Sequence, residues 1–273
     1  MSGSFRKFNR RVGITLVTLA LLVSIIGFFY TPFDPVHVDL DHRLEAPGTS
    51  YFLGSDQFGR DIFSRLLSAA GVSMRVSLFT VLIAVLCGTF LGTLVGYLGG
   101  WTDRIAMVCL DALMAIPGIL LALTIMVIVG PGEGSLILAL GIAYTPTVTR
   151  MIRGITLSLR QKEYIEASNL AGDSSLYTMV RHIVPNCITP LTVIATSLFA
   201  WALLAESALS FLGLGVPPPY PTWGGMLADG RQYLAIAPWM SIYPGIAISL
   251  TLLGINLFGD ALRDHFDPKM KNI

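Results

Sequence analysis

The sequence predicts an all-α membrane protein with six transmembrane helices. Three observations carry this: overall apolarity, six apolar runs of spanning length, and a one-sided distribution of Lys and Arg. Hydrophobic residues make up 53% of the 273 and charged residues only 13%, against about 25% charged in soluble domains. The runs cover residues 12–30, 76–98, 105–129, 135–152, 188–212 and 239–262, each near the ~20 residues that cross a hydrocarbon core. With both termini in the cytoplasm, thirteen of the eighteen Lys and Arg fall inside and five outside. The inverse topology reverses that ratio, so the excess of inside positive charge selects the first. A net charge of +1 gives no reason to expect nucleic acid.

Residues 1–30 read as a cytoplasmic terminus and first anchor helix, with Arg6, Lys7, Arg10 and Arg11 ahead of the apolar run. The competing reading is a secretory signal, but the run is too long and TPFDP offers no small-residue cleavage site. Residues 31–75 form the longest loop, outside the membrane. Its second half, LGSDQFGRDIFSRLL, begins as a turn and becomes an amphipathic helix along the membrane surface. Ile62, Leu66 and Leu67 share one face there, with Asp61 and Arg65 as an i,i+4 pair.

Residues 76–273 hold the other five spans. In the second span Gly88, Gly92 and Gly96 make two overlapping GxxxG steps, a seam where another helix approaches closely. Pro117 and Pro146 interrupt the third and fourth spans and suggest kinks around a central opening. Residues 213–239 are too polar and proline-rich to insert and make an external loop. Cys87, Cys109 and Cys187 lie in or beside apolar runs without CxxC spacing and read as buried small residues.

Polar groups inside spans are costly and rarely face lipid. On the fifth span Thr192, Thr196, Glu206, Ser207 and Ser210 fall within roughly a 100° arc at about 100° per residue, with only Ser197 well outside it. On the sixth, Ser249, Asn256 and Asp260 share a narrower stripe. Two such stripes are expected of helices lining one aqueous path, with Glu206 at the path or its gate. Ser and Thr can instead bond back to their own helix. Asp260 has a second reading as a partner of Arg263 or a loop arginine, and Asp111 as a partner of Arg104 or Arg150.

Residues 160–186, RQKEYIEASNLAGDSSLYTMVRHIVPN, form a polar connector between the fourth and fifth spans. Residues 164–170 read as a short helix and Gly172 as the turn. Asp173, Ser174 or Ser175 caps a second helix that stops before Pro185. Tyr164, Ile165 and Leu170 are left exposed for a partner. The run Glu166-Ala167-Ser168, then three residues, Gly172, and Pro185 thirteen positions on resembles the EAA loop of binding-protein-dependent ABC importer permeases. Ser168 replaces the family's second Ala, and His182-Ile183-Val184-Pro185 stands where the family has Ile-x-Leu-Pro.

The 53–67 string and the closing GDALRDHFDP are similar to the dipeptide, oligopeptide and nickel branch, in particular its C-type subunit. The resemblance implies the type I importer (MetI-like) permease fold in a bacterial cytoplasmic membrane. It implies Tyr164, Glu166, Ala167, Ser168, Gly172 and Pro185 as the site docked by an ATPase. Asp111, Thr192, Thr196, Glu206, Ser207, Ser210, Asn256 and Asp260 are the pathway candidates read from polar groups within spans. The implied partners are a second, related permease chain, two ATP-binding subunits and an extracytoplasmic binding protein.

The chain has no energy source of its own. Lys7, Lys162, Lys269 and Lys271 are its lysines and none follows a glycine, so there is no GxxxxGK[ST] loop. No cofactor is expected on this chain; ATP and Mg belong to the partner subunits. HExxH and GxSxG are absent too, which disfavours an intramembrane hydrolase. His37 and His42 lack an evident third ligand and read as solvated. The remaining alternative is a proton-coupled secondary transporter with Glu206 or Asp260 as carrier.

Overall fold

Arginines followed by an unbroken apolar run produce the first helix, α1 (Gly3–Phe29). The computed structural model describes residues 3–266, with side chains from Arg6 onward. Asp267 and Pro268 of the closing GDALRDHFDP string, with Lys269 and Lys271, lie outside the described residues.

The loop from Tyr30 to Asp61 folds on its own hydrogen bonds. Asp56 accepts from the backbone N–H of Phe58 at 2.8 Å and from Arg60 Nε at 2.6 Å. The next helix, α2 (Ile62–Leu98), runs 37 residues without interruption. This differs from the expected surface helix followed by a fresh span near residue 76. Ile62 and Leu67 are buried, Ile62 in a core with Trp223 and Met240, so its apolar face needs no membrane surface to cover it. At ~1.5 Å per residue α2 is longer than a ~30 Å hydrocarbon core, and its first turns stand clear of it. The expected Asp61–Arg65 pair is also corrected. Asp61 caps α2, accepting from the Ser64 N–H at 2.7 Å, while Arg65 reaches Asp56 and Asp229 at 3.4 and 3.7 Å.

After Gly99, α3 (Gly100–Met114) and α4 (Gly118–Val129) meet at 87°. The break sits at Pro117, which has no N–H to give and pushes its predecessor out of helical geometry. Pro146 does not do this: α5 (Glu133–Arg160) stays helical through it. Packing decides the difference, because α5 lies along α2 for most of its length. A Cβ on Gly88, Gly92 or Gly96 would come within 2.5, 2.6 and 2.8 Å of Val148, Thr149 and Thr156. The glycine steps are therefore the α2–α5 seam, as the spacing predicts.

The connector holds α6 (Glu163–Leu170) and α7 (Ser175–Thr178). A π-helical turn (Met179–Ile183) then leads directly into α8 (Val184–Phe211). Short α9 (Trp223–Gly230) precedes α10 (Trp239–Phe266). Among the described residues five helices are long and apolar enough to span, and the bent α3–α4 pair, taken as one broken span, makes the sixth crossing. This is the all-helical, six-span fold the sequence predicts. Six traverses put both ends of the described chain and the connector at one end of the bundle. Residues 30–61, 130–132 and 212–238 lie at the other. Cys187 is buried, whereas Cys87 and Cys109 are exposed on helix flanks, contrary to expectation.

Candidate functional site

The connector is built on one buried side chain and one hydroxyl. Ile165 is 0% exposed, packed with Val148 and Ile152 of α5 and with Ile183 and Cys187. It is thus the anchor of α6 and not a residue held out to a partner. Leu170, roughly 140° further round the helix, is 84% exposed, and Tyr164 is 44% exposed. Ser168 Oγ donates to Asp173 Oδ2 at 2.7 Å and lies 3.2 Å from Thr178 Oγ1. Where only small size was expected, the serine ties α6, the turn and α7 together with a hydrogen bond that alanine cannot make.

Gly172 has φ +85°, and an added Cβ would meet nothing within 4 Å, so backbone conformation alone requires glycine there. Of the three candidate caps, Ser174 is used, accepting from the Tyr177 N–H at 3.3 Å. Tyr97 of α2 donates to Asn169 at 2.9 Å, a tie between distant segments with no signal in the sequence.

The second helix does not stop before Pro185, as expected, but continues through it. Proline cannot donate to the carbonyl of Arg181 and crowds it. The preceding π turn, closed by the Val184 N–H on the Met179 carbonyl, accommodates that within a continuous helix. Leu176, Tyr177 and Val180 are exposed beside Tyr164 and Leu170, and Glu166, Ala167, Gly172 and Pro185 are also at the surface. The outcome is an apolar face with a carboxylate at its rim, on a unit whose back is locked into α2, α5 and α8.

A family model described as the binding-protein-dependent transport system inner membrane component matches residues 88–272, the connector included. The chain belongs to this family. It is a multi-pass permease subunit of a binding-protein-dependent ABC importer. A protein of Brucella suis biovar 1 described as a peptide transport system permease is 41% identical over 97% of this chain and 90% of its own length. The dipeptide transport permease DppC of Alkalihalophilus pseudofirmus is 40% identical over 96% and 86%. The glutathione transport permease GsiD of Escherichia coli O1:K1 is 39% identical over 98% and 90%.

In this permease the expected pathway residues of α8 meet different neighbours at different heights. Thr192 and Thr196 bond back to the carbonyls of Thr189 and Val193, and Thr196 meets α10 at Gly259. Higher on α8, Glu206 is 0% exposed. It accepts from Ser210 Oγ at 2.8 Å and from Ser207 Oγ at 3.3 Å, with the hydroxyls of Ser73 of α2 and Thr222 beside it. Within this chain Glu206 therefore faces α2 and the segment before α9, and its neighbours Ser210 and Thr222 line a cavity at that end of the bundle, because one face of a long helix crosses different neighbours along its length.

Asn256 and Asp260 are exposed at the connector end of α10, and Asp260 makes no ion pair with Arg263 among the described residues. Of the two partners expected for Asp111, Arg150 is the one. A second pair that the sequence reading missed, Arg153 Nη2 on Asp103 Oδ2 at 2.7 Å, clamps α3 to α5 beside it.

Proposed function

We propose that this permease forms half of a translocation pathway for peptide-class cargo. It pairs with a second, related permease chain and receives cargo from an extracytoplasmic binding protein. Two ATPases move it by engaging the connector. The observation that carries this reading is the exposed Tyr164–Leu170–Leu176–Tyr177 face on a unit fastened from behind by Ile165 and Ser168. A face so exposed and so rigidly backed transmits a push into α5 and α8 instead of absorbing it. The connector end lies in the cytoplasm, where positive charge is concentrated. Peptide cargo is favoured because relatives covering nearly the whole chain are named for peptides, a dipeptide and glutathione. Asn256 and Asp260, exposed on α10, are the pathway candidates this reading keeps.

The test is co-purification and uptake. Leu170→Asp should leave the spans folded and release the ATPases, with ATP-driven uptake lost. Uptake that continues in ATP-depleted vesicles carrying a proton gradient would replace this reading with secondary transport.

A further inference from the structure

At the end of the bundle opposite the connector, a cavity of about 490 Å³ opens among the 56–60 turn, Pro131, the 213–222 segment and α9. This is within the range of small-ligand sites. Arg60, Arg65 and Asp229 are the charged residues in its wall, and Asp56, 2% exposed, pairs with both arginines from behind at 2.6 and 3.4 Å, so the charges of the cluster balance only while Asp229 stays in place.

The two guanidinium groups are held but not saturated. Arg60 donates through Nε to Asp56, and Arg65 donates through Nη1 to the Pro35 carbonyl at 3.0 Å. Both Nη2 atoms face the same oxygen, Asp229 Oδ2, at 3.7 Å, too far for a hydrogen bond. Gln57, in the same wall, leaves its buried Oε1 without a donor. Burial raises the Asp229 carboxyl above its usual range even against both arginines, and its side chain is 42% exposed, so it can turn to solvent when another anion takes its place. Opposite lies Pro217-Pro218-Pro219-Tyr220-Pro221, a rigid apolar run that presents few donors.

We propose that this cavity receives the free terminal carboxylate of a peptide, which takes the place of Asp229 between Arg60 and Arg65. A planar carboxylate suits two convergent guanidinium forks. Every linear peptide has this group whatever its side chains, and the proline shelf discriminates little among side chains. The site therefore reads peptide-ness at the mouth of the pathway. The proposal rests on the peptide-importer reading and on the orientation that puts this end outside.

The test uses the intact permease–ATPase complex in nanodiscs, without binding protein. Tri-alanine and tri-alanine amide are compared by saturation-transfer difference NMR. The acid should bind roughly tenfold more tightly than the amide, the order of one charge-assisted hydrogen bond. Asp229→Asn should widen that ratio several-fold by removing the resident anion. Arg60→Lys keeps a cation for buried Asp56 but loses the fork, and should shrink the ratio toward one. Equal binding of acid and amide, a ratio untouched by Arg60→Lys, or no signal because a neighbouring subunit fills the cavity would each overturn the proposal. ATP-driven uptake of tri-alanine with binding protein is measured on the same complex in vesicles. No uptake at all sinks the peptide-importer reading; uptake without an acid preference at the cavity sinks only this inference.

Discussion

At the residue scale, the connector depends on conformations and hydroxyls that are easy to perturb singly. Gly172→Ala puts a side chain at φ +85° and should cost ~1–2 kcal/mol, seen as faster hydrogen exchange across residues 163–178 with the spans unaffected. Ser168→Ala removes the donor to Asp173 and should cost about 1 kcal/mol by the same readout. In the 30–61 loop, the hydrogen bond to Glu45 lifts His42 above its usual value. The sign follows from that direction: the contribution is complete below about pH 6.5 and is lost as pH rises through the folded-state value. Amides 39–45 should therefore exchange more slowly at pH 6 than at pH 8, beyond the intrinsic rate difference, and His42→Gln should abolish that contrast. Residue types and spacing made Gly172 and the Ser174 cap legible. They could not reveal that Ile165 points inward, which depends on how α6 is set against α5 and α8, or that Ser168 meets Thr178, which depends on how the turn folds α7 back on α6.

At the element scale, α2 and α5 are one unit because three glycines remove the side chains that would part them. Gly92→Val would drive a Cβ into the Thr149 carbonyl and should cost ~1–3 kcal/mol, read as a lower unfolding temperature in detergent. Gly154 in α5 has nothing within 4 Å, so Gly154→Ala should leave that temperature unchanged or raise it. The bent α3–α4 pair depends on Asp103–Arg153 and Asp111–Arg150 to hold α3 on α5. Proline positions were visible in the sequence, but their effects were not. Pro117 breaks a helix with little packed on it, while Pro146 sits in a helix clamped by α2, and the lost hydrogen bond is outweighed.

At the scale of the whole molecule, the two ends do different work. The connector end offers an apolar face on a rigid mount, and the opposite end gathers Glu206, Ser73, Ser207, Ser210 and Thr222 into a knot joining α2, α8 and the segment before α9. Glu206→Leu should cost ~2–4 kcal/mol by leaving buried hydroxyls without an acceptor. Glu206→Gln should lose less and retain assembly with the ATPases, measured by thermal unfolding and co-purification. The chain's own composition and periodicity determined that it crosses a bilayer six times and where two helices touch through glycine. A residue's angle about its own helix follows from local geometry, and apolar length follows from the solvent. Only the tertiary structure decided that Glu206 faces a neighbour within the chain, that α2 and α8 run unbroken through expected boundaries, and that Arg60, Arg65 and Asp229 share a cavity. Those facts depend on which helix stands opposite a given face at a given height, and no single helix carries that information.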